Sequence, residues 1–262
     1  MRRTFLLFWP ITLLALLLMY LPLCTVVTYS FNEARFGAGW RGFTTKWYFE
    51  LFENSLAIDA AYNSLILAAT STAIATVIGT LLGFGLARYN FIGKRLCEDL
   101  LHIPVIISDI VMAVALLSFF AFLRNKTGMF ELGLSTMVIS HVTFQIPFVA
   151  VVVRARLAQS DPRLDEAAHD LGATSLQTFR WVTLPLMLPG IISAALLAFT
   201  LSLDDFVVSF FTSGPDSTTL PILIYSSVKR GITPDINAVS SLIIATSILL
   251  TVLVAALQRR KI

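Results

Sequence analysis

The sequence is poor in charged residues and cysteine, and it has no recognisable nucleotide-binding loop. Only 13% of its 262 residues are charged and 56% are hydrophobic, whereas a soluble domain averages about 25% charged residues. Its two cysteines, Cys24 and Cys97, fall in different segments, and no C-x-x-C or His/Cys cluster suggests a disulfide or a metal site. A Walker-type loop is absent, so we expect no cofactor in this chain. The excess of apolar residues indicates an integral membrane protein.

Apolar runs long enough to cross a bilayer, which takes about 20 residues in a helix, occur along the whole chain. We predict six spans, at Phe5–Ser30, Asp59–Ala87, Leu100–Leu123, Leu132–Val153, Leu188–Phe211 and Asn237–Leu257. An even number of spans puts both termini on the same side. With the termini in the cytoplasm, twelve of the nineteen Lys and Arg residues fall in cytoplasmic segments, as the positive-inside rule requires. The sequence therefore predicts one all-α membrane domain over residues 1–262.

The first outer loop, Phe31–Ile58, is rich in aromatic residues. Such rings favour the headgroup level of a membrane, and a short surface helix is predicted around Thr45–Phe52. Trp40, Trp47 and Tyr48 have an equally good alternative role, in which they touch a substrate-delivery protein or guard the outer mouth of a pathway. The sequence leaves these two roles open.

The longest polar stretch between two apolar runs is Arg154–Gly190. Asp161–Pro162 provides an N-cap followed by a first-turn proline for a helix over Leu164–Leu171. Gly172 is placed to end that helix, since glycine readily adopts the left-handed conformation at the position after a helix. This stretch is therefore predicted to begin with a short, capped helix.

A second short helix is predicted immediately after the glycine. Thr174 or Ser175 can cap it, and Pro185 is expected to close it off. Two short helices joined at a glycine form a protruding elbow. The charge distribution puts this elbow in the cytoplasm, where it suits contact with another protein.

The elbow carries the motif E-A-A, three residues, Gly, nine residues, then V-T-L-P, from Glu166 to Pro185. It resembles the E-A-A-x3-G-x9-I-x-L-P signature of ABC-importer permeases and departs from it only at Val182. The resemblance implies a type I, MetI-like permease with six transmembrane helices in a bacterial inner membrane. It also implies a coupling-helix loop at about residues 154–187 that contacts a separate ATPase, the partner that binds ATP–Mg; the motif residues are Glu166, Ala167, Ala168, Gly172, Leu184 and Pro185.

Three acids lie inside predicted spans: Asp109 in the third, and Asp204 and Asp205 in the fifth. An ionisable residue is costly within a bilayer, and no lysine or arginine shares a span with them. Either they bind a cation that passes through the protein, or they cap backbone groups and bond hydroxyls such as Ser202 and Ser209. Because neighbours on a helix point about 100° apart, we expect only one of Asp204 and Asp205 to face a cavity while the other ties helices together.

Further motifs resemble the second permease of spermidine/putrescine importers. They are Phe36–Gly37, Gly42–Tyr48, Ser108–Ala113, Phe199–Asp205, Ser213–Pro215 and Pro234–Ala238. The S-P-D-I run of that subfamily is I-S-D-I here. No proline therefore precedes Asp109, and the sequence leaves open whether the backbone bends there.

This second resemblance implies a transporter that moves polyamines by alternating access. Its other parts are a homologous second permease, two copies of an ATPase and a periplasmic or surface polyamine-binding protein. The expected substrate pathway contains Asp109, Asp204, Asp205, Trp40, Trp47 and Tyr48. Spaced carboxylates with aromatic walls suit a flexible polycation. Whether spermidine or putrescine is preferred does not follow from the sequence.

Other functions fit part of the sequence. A secondary transporter would use the membrane acids as proton sites, but it leaves the motif over Glu166–Pro185 unexplained. An intramembrane aspartyl protease would need aspartates on two facing helices, and no G-x-G-D segment occurs. An ABC permease for another cationic or metal-chelate solute is a further alternative. However, His102, His141 and His169 lack ligand-like spacing, and His102 or His141 is expected to be a hydrogen-bonded packing residue.

Overall fold

A computed structural model of the chain describes residues 2–34, 39–161, 163–230 and 234–259, with side chains over 9–34, 39–161, 163–229 and 234–249. These residues form an all-α structure with one isolated bridge between Asn32 and Phe43. Pro162, Phe36 and Gly37 from the sequence motifs lie outside the described residues. The helices are α1 (Arg2–Tyr29), α2 (Lys46–Glu53), α3 (Ser55–Arg88), α4 (Lys94–Ile106), α5 (Asp109–Thr127), α6 (Leu134–Ala158), α7 (Arg163–Asp170), α8 (Ser175–Thr178), α9 (Leu184–Leu203), α10 (Val207–Thr212), α11 (Leu220–Arg230) and α12 (Pro234–Arg259).

Five helical segments of the described chain are long and apolar enough to cross a membrane. They are Trp9–Tyr29, Ser55–Arg88, Asp109–Thr127, Leu134–Ala158 and Ser175–Leu203. In α12 the apolar stretch among the described side chains is shorter, Pro234–Leu249. The first, second, fourth and sixth predicted spans are confirmed as helices α1, α3, α6 and α12. A helix is likewise confirmed around Thr45–Phe52, as α2.

The third predicted span, Leu100–Leu123, is wrong as a continuous helix because α4 ends and α5 begins within it. Ile107 and Ser108 adopt extended backbone, with ψ of 140° and 141°. The carbonyl oxygen of Ser108 accepts two N–H groups from the following turn, which starts α5 at Asp109. The backbone therefore breaks here without a proline before Asp109, and this residue occupies a helix start instead of the middle of a span.

The fifth predicted span, Leu188–Phe211, is interrupted in the same way. Helix α9 ends at Leu203, α10 begins at Val207, and Asp204–Phe206 is a non-helical link. Non-helical backbone is tolerated at membrane depth only where protein buries it or where it lines a water-filled cavity. Protein or a cavity is therefore expected to surround both breaks.

Pro185 does not close the second elbow helix as predicted. Residues Ser175–Leu203 form one continuous helix, in which a π-helical turn over Phe179–Thr183 joins α8 to α9. In this widened turn the N–H of Leu184 bonds to the carbonyl oxygen of Phe179, and Pro185 follows in the first turn of α9. A π-turn changes the hydrogen-bond register just before the proline, so the helix continues past a residue that would otherwise end it.

The chain divides into two compact units, residues 1–58 with 223–262, and residues 59–222. In the first unit α12 packs against α1 and α2. In the second unit α6 is central, because a stripe at every fourth position is fully buried: Met137, His141, Gln145, Val149 and Val153. Helix α3 approaches this stripe closely, since a Cβ added to Gly79 or Gly83 would lie 2.7 Å from an atom of Val149 or Ala150. Helix α9 also packs against α6.

Candidate functional site

Both helix breaks of residues 59–222 border one cleft of about 400 Å³. It gathers three carboxylates and three phenyl rings, those of Asp109, Asp204, Asp205, Phe144, Phe148 and Phe206. The remaining lining residues are apolar, and the lining contains no lysine or arginine. The structure therefore brings together the acids that the sequence singled out. It adds the three phenylalanines, which sequence reasoning missed because their role depends on where the helices break.

No other described residue forms a hydrogen bond or an ion pair with the carboxylates of Asp109 and Asp204, although that of Asp204 bonds to its own backbone. Asp109 begins α5, so the partial positive charge of that helix end stabilises it. Asp204 is the C-cap of α9, where the helix end carries partial negative charge. Asp204 is therefore the cleft carboxylate for which the protein provides the least electrostatic compensation.

Asp205 is tied into the protein. Its carboxylate accepts the N–H groups of Val208 at 3.3 Å and Ser209 at 2.7 Å, which caps the start of α10. Nε2 of His141 lies 3.4 Å from the same carboxylate. Both Asp204 and Asp205 nevertheless line the cleft. Asp205 is the member of the pair that ties helices together, as expected. It also lines the cleft, contrary to the expectation, because the link that carries the pair is not helical.

The predicted aromatic residues of the first loop are not among the residues that line this cleft. Trp47 is buried, and its Nε1 donates to the carbonyl oxygen of Asn32 at 2.7 Å. The hydroxyl of Tyr48 lies 2.7 Å from Oγ of Ser30. Trp40 differs from both, because 51% of its surface is exposed. Trp47 and Tyr48 thus hold the loop together, whereas Trp40 leaves its ring accessible.

The glycine elbow forms as predicted. Gly172 has φ of +86°, and its N–H bonds to the carbonyl of His169 while that of Ala173 bonds to Ala168, a Schellman pattern that ends α7. Thr174 then caps α8 in a reciprocal capping box with Gln177. The predicted glycine end of the first elbow helix and the predicted cap of the second are thus confirmed.

Asp165 anchors the elbow, a role that sequence reasoning missed. Its carboxylate lies 3.1 Å from the Arg88 guanidinium at the end of α3. It also accepts a hydrogen bond of 3.0 Å from the hydroxyl of Thr183, in the π-turn. One side chain of α7 therefore contacts both the second span and the start of the fifth.

The surface of the elbow that faces away from the rest of residues 59–222 is exposed and partly apolar. Every residue of α7 is accessible, and Glu166 forms no ion pair with any described side chain. Leu171, Leu176 and Trp181 are 90%, 75% and 71% exposed. Of the other motif residues, Ala167 and Pro185 are exposed, and Ala168 and Leu184 are half-buried. Large apolar side chains left in the open are typical of a surface that another protein covers.

Interrupted apolar helices around an acidic cleft, together with an exposed helical elbow, define a multi-pass membrane transport protein. The chain belongs to the family described as binding-protein-dependent transport system inner membrane components, whose model matches residues 75–260. Members of this family are transport subunits, so the chain is not an enzyme.

The individual relatives agree with this family. The chain is 42% identical to the spermidine/putrescine transport system permease protein PotC of Haemophilus influenzae over 92% of each chain. It is 41% identical to the putrescine transport system permease protein PotI of Escherichia coli, over 89% of this chain and 84% of that protein.

Solved structures support the same fold. A bacterial ABC transporter for import of the acidic polysaccharide alginate contains a chain with a TM-score of 0.79 at 21% identity, with coverage of 100% of this chain and 97% of that one. A chain of the MetNI methionine ABC transporter has a TM-score of 0.61 at 23% identity and covers 78% of this chain and 91% of its own. These likenesses establish the type I ABC-importer permease fold.

Proposed function

We propose that this chain is a permease subunit of an ATP-driven importer for polyamines. The observation that carries the proposal is the cleft, in which the carboxylates of Asp109, Asp204 and Asp205 share one site without a neighbouring lysine or arginine. Relatives that match over most of their length are named as spermidine/putrescine and putrescine permeases. A cationic substrate would balance the negative charge of such a cleft.

The chemistry of the cleft suits an aliphatic chain with terminal ammonium groups. The carboxylate of Asp204 would pair with one ammonium group and that of Asp109 with another. The rings of Phe144, Phe148 and Phe206 would cover the methylene groups and offer cation–π contacts. Because carboxylates of a transport pathway must also release the substrate, we expect weak binding at this site.

Movement of the substrate would be driven through the elbow. The exposed faces of α7 and α8, with Glu166, Ala167 and the apolar Leu171 and Leu176, form a surface that an ATPase subunit would cover. Gly172 and Asp165 would hold this surface at a fixed angle to the long helices. ATP–Mg would be bound by that partner, and closure of its dimer would switch the cleft between outward and inward access.

The membrane orientation follows from the same proposal. An elbow that meets an ATPase lies in the cytoplasm, which places both termini there and the protein in a bacterial inner membrane. The other partners would be a second, homologous permease and a periplasmic or surface polyamine-binding protein. Of the three first-loop residues predicted for the pathway, Trp40 has an accessible ring that could contact that binding protein, while Trp47 and Tyr48 shape the loop.

The test is uptake of radiolabelled spermidine and putrescine by cells in which this chain is deleted and then restored with and without its genomic neighbours. We expect uptake only when an ATPase and a binding protein are present. Asp109→Asn should lower uptake about tenfold, because it removes a charge but keeps the shape of the side chain, and the complex should still assemble. Uptake by this chain alone, or unchanged uptake in Asp109→Asn, would overturn the proposal.

A further inference from the structure

A line of buried polar groups crosses residues 59–222 beside the cleft. It runs from Gln145 through Ser71, Ser202 and His141 to Asp205, and the first four of these side chains are buried. The successive separations are 3.2 Å, 3.2 Å, 2.7 Å to Nδ1 of the imidazole, and 3.4 Å from its Nε2 to the carboxylate. The groups belong to α3, α6, α9 and the link after α9. This line therefore joins the central helices to one carboxylate of the cleft.

The contacts of the His141 imidazole determine which of its nitrogens is suited to carry the proton. The amide nitrogen of Gln145 donates to the hydroxyl of Ser71, which also lies 3.4 Å from the carbonyl oxygen of Ala68. The hydroxyls of Ser71 and Ser202 share a hydrogen bond, and that of Ser202 lies 2.7 Å from Nδ1 of His141. Nε2 faces two oxygen atoms, Oγ of Ser209 at 3.0 Å and the carboxylate of Asp205 at 3.4 Å. Because a carboxylate only accepts hydrogen bonds, a proton on Nε2 suits this contact at the edge of the cleft.

We propose that His141 is a positioning residue for transport, which acts on the substrate through Asp205. This inference rests on the proposed function. The imidazole N–H and the start of α10 hold the Asp205 carboxylate in one orientation and compensate its charge. Asp204 and Asp109 then remain as the two carboxylates that no other side chain holds, and they are available to the ammonium groups of a substrate. Without His141, the Asp205 carboxylate turns within the cleft, and the ammonium group beside it has no fixed place.

The measurement must separate substrate positioning from a purely structural role. A binding protein delivers the substrate, so the apparent affinity for external polyamine reports mainly on that protein. We therefore use the ratio of polyamine transported to ATP hydrolysed, in proteoliposomes with the complete transporter and saturating loaded binding protein. A structural defect lowers both rates in proportion, whereas a positioning defect lowers the ratio.

We expect His141→Leu to lower this ratio about tenfold, as loss of a hydrogen bond to a charged group does, with ATP hydrolysis within about threefold of wild type. His141→Gln retains an N–H donor and should recover most of the loss. Combining His141→Leu with Asp205→Asn should cost no more than the worse single change, because the two residues act as one unit. His102→Leu is the matched control, because His102 is exposed and bonds only within its own helix.

The remaining outcomes are equally decisive. If His141→Leu does not assemble, Ser202→Ala keeps the imidazole but removes the hydroxyl that bonds to its Nδ1, and it should lower the ratio about threefold, as loss of one neutral hydrogen bond does. Proportional loss of both rates in Ser202→Ala, or additive losses for His141 and Asp205, would overturn the inference. If the wild-type transporter hydrolyses ATP but moves neither polyamine, the proposed function is wrong, and the role proposed for His141 is wrong as well.

Discussion

The cleft and the elbow both lie at the ends of helices, but the helices end for different reasons in the two regions. At the elbow, Gly172 with φ of +86° ends α7 and Thr174 caps α8. At the cleft, α4 and α9 end before Ile107 and Asp204 without a glycine or a following proline, although Asp205 caps the start of α10. The elbow is thus a local structure, whereas the cleft depends on packing between distant segments.

The two regions also differ in the chemistry of their surfaces. The cleft has carboxylates without nearby lysine or arginine, so its lining is acidic. The elbow exposes the large apolar side chains of Leu171, Leu176 and Trp181. Under the proposed function, a small cation would occupy the first region and a protein surface would cover the second, so that one serves substrate binding and the other coupling.

The largest effect should come from the elbow. Gly172→Val places a β-branched residue at a left-handed position, at a cost of about 1–2 kcal/mol. A Cβ at this position meets no atom within 4 Å, so the cost is one of backbone conformation and not of space. We expect the angle between α7 and α8 to change and uptake to fall more than tenfold, with the chain still in the membrane and ATP hydrolysis no longer coupled to transport.

Gly172→Asn is the matched control, because asparagine tolerates the left-handed conformation better than other residues with a side chain. It should keep most of the uptake. Normal uptake in the valine variant would show that transport does not depend on the angle of the elbow. It would contradict the proposed coupling role of this region.

A smaller effect should come from the cleft. Asp204→Asn removes the carboxylate at the negative end of α9 that the protein compensates least, so uptake should fall about tenfold. Asp204→Glu keeps the charge and should retain more uptake than the asparagine variant. ATP hydrolysis stimulated by the binding protein should change little in either, which distinguishes the cleft from the elbow. Equal losses for asparagine and glutamate would mean that shape, and not charge, is what Asp204 contributes.

The sequence predicted the elbow well and the cleft only in part, because capping is a local property. Gly172 and Thr174 act on residues within one turn of themselves, and their motifs could be recognised without knowledge of the rest of the chain. The membrane acids were also found from the sequence, since carboxylates in apolar runs are rare. Their placement was not, because the break at Asp109 follows a serine and not a proline.

The contacts that could not be predicted from the sequence have one cause in common. His141 contacts Asp205 across 64 positions of the chain, and Asp165 contacts Arg88 across 77. Such pairs arise when helices pack, and a single sequence carries no record of which helices become neighbours. Phe144 and Phe148 likewise become cleft residues only because α6 passes beside both helix breaks. Local chemistry could therefore be predicted, whereas long-range pairing could not.

The smallest effect should come from the anchor of the elbow. Asp165→Asn weakens the contact with Arg88 and keeps a group that accepts a hydrogen bond from Thr183. Both members of the ion pair are about one-fifth exposed, so water screens their attraction only partly and we expect transport per ATP to fall about threefold. Exchanging the charges, with Arg88→Asp and Asp165→Arg together, should recover part of the loss. Arg124→Ala is the control, since its pair with Glu131 is largely exposed and its loss should change neither rate. If the Asp165 and Arg124 variants behave alike, the ion pair does not help to hold the elbow. The angle of the elbow is then set by the local caps at Gly172 and Thr174 alone.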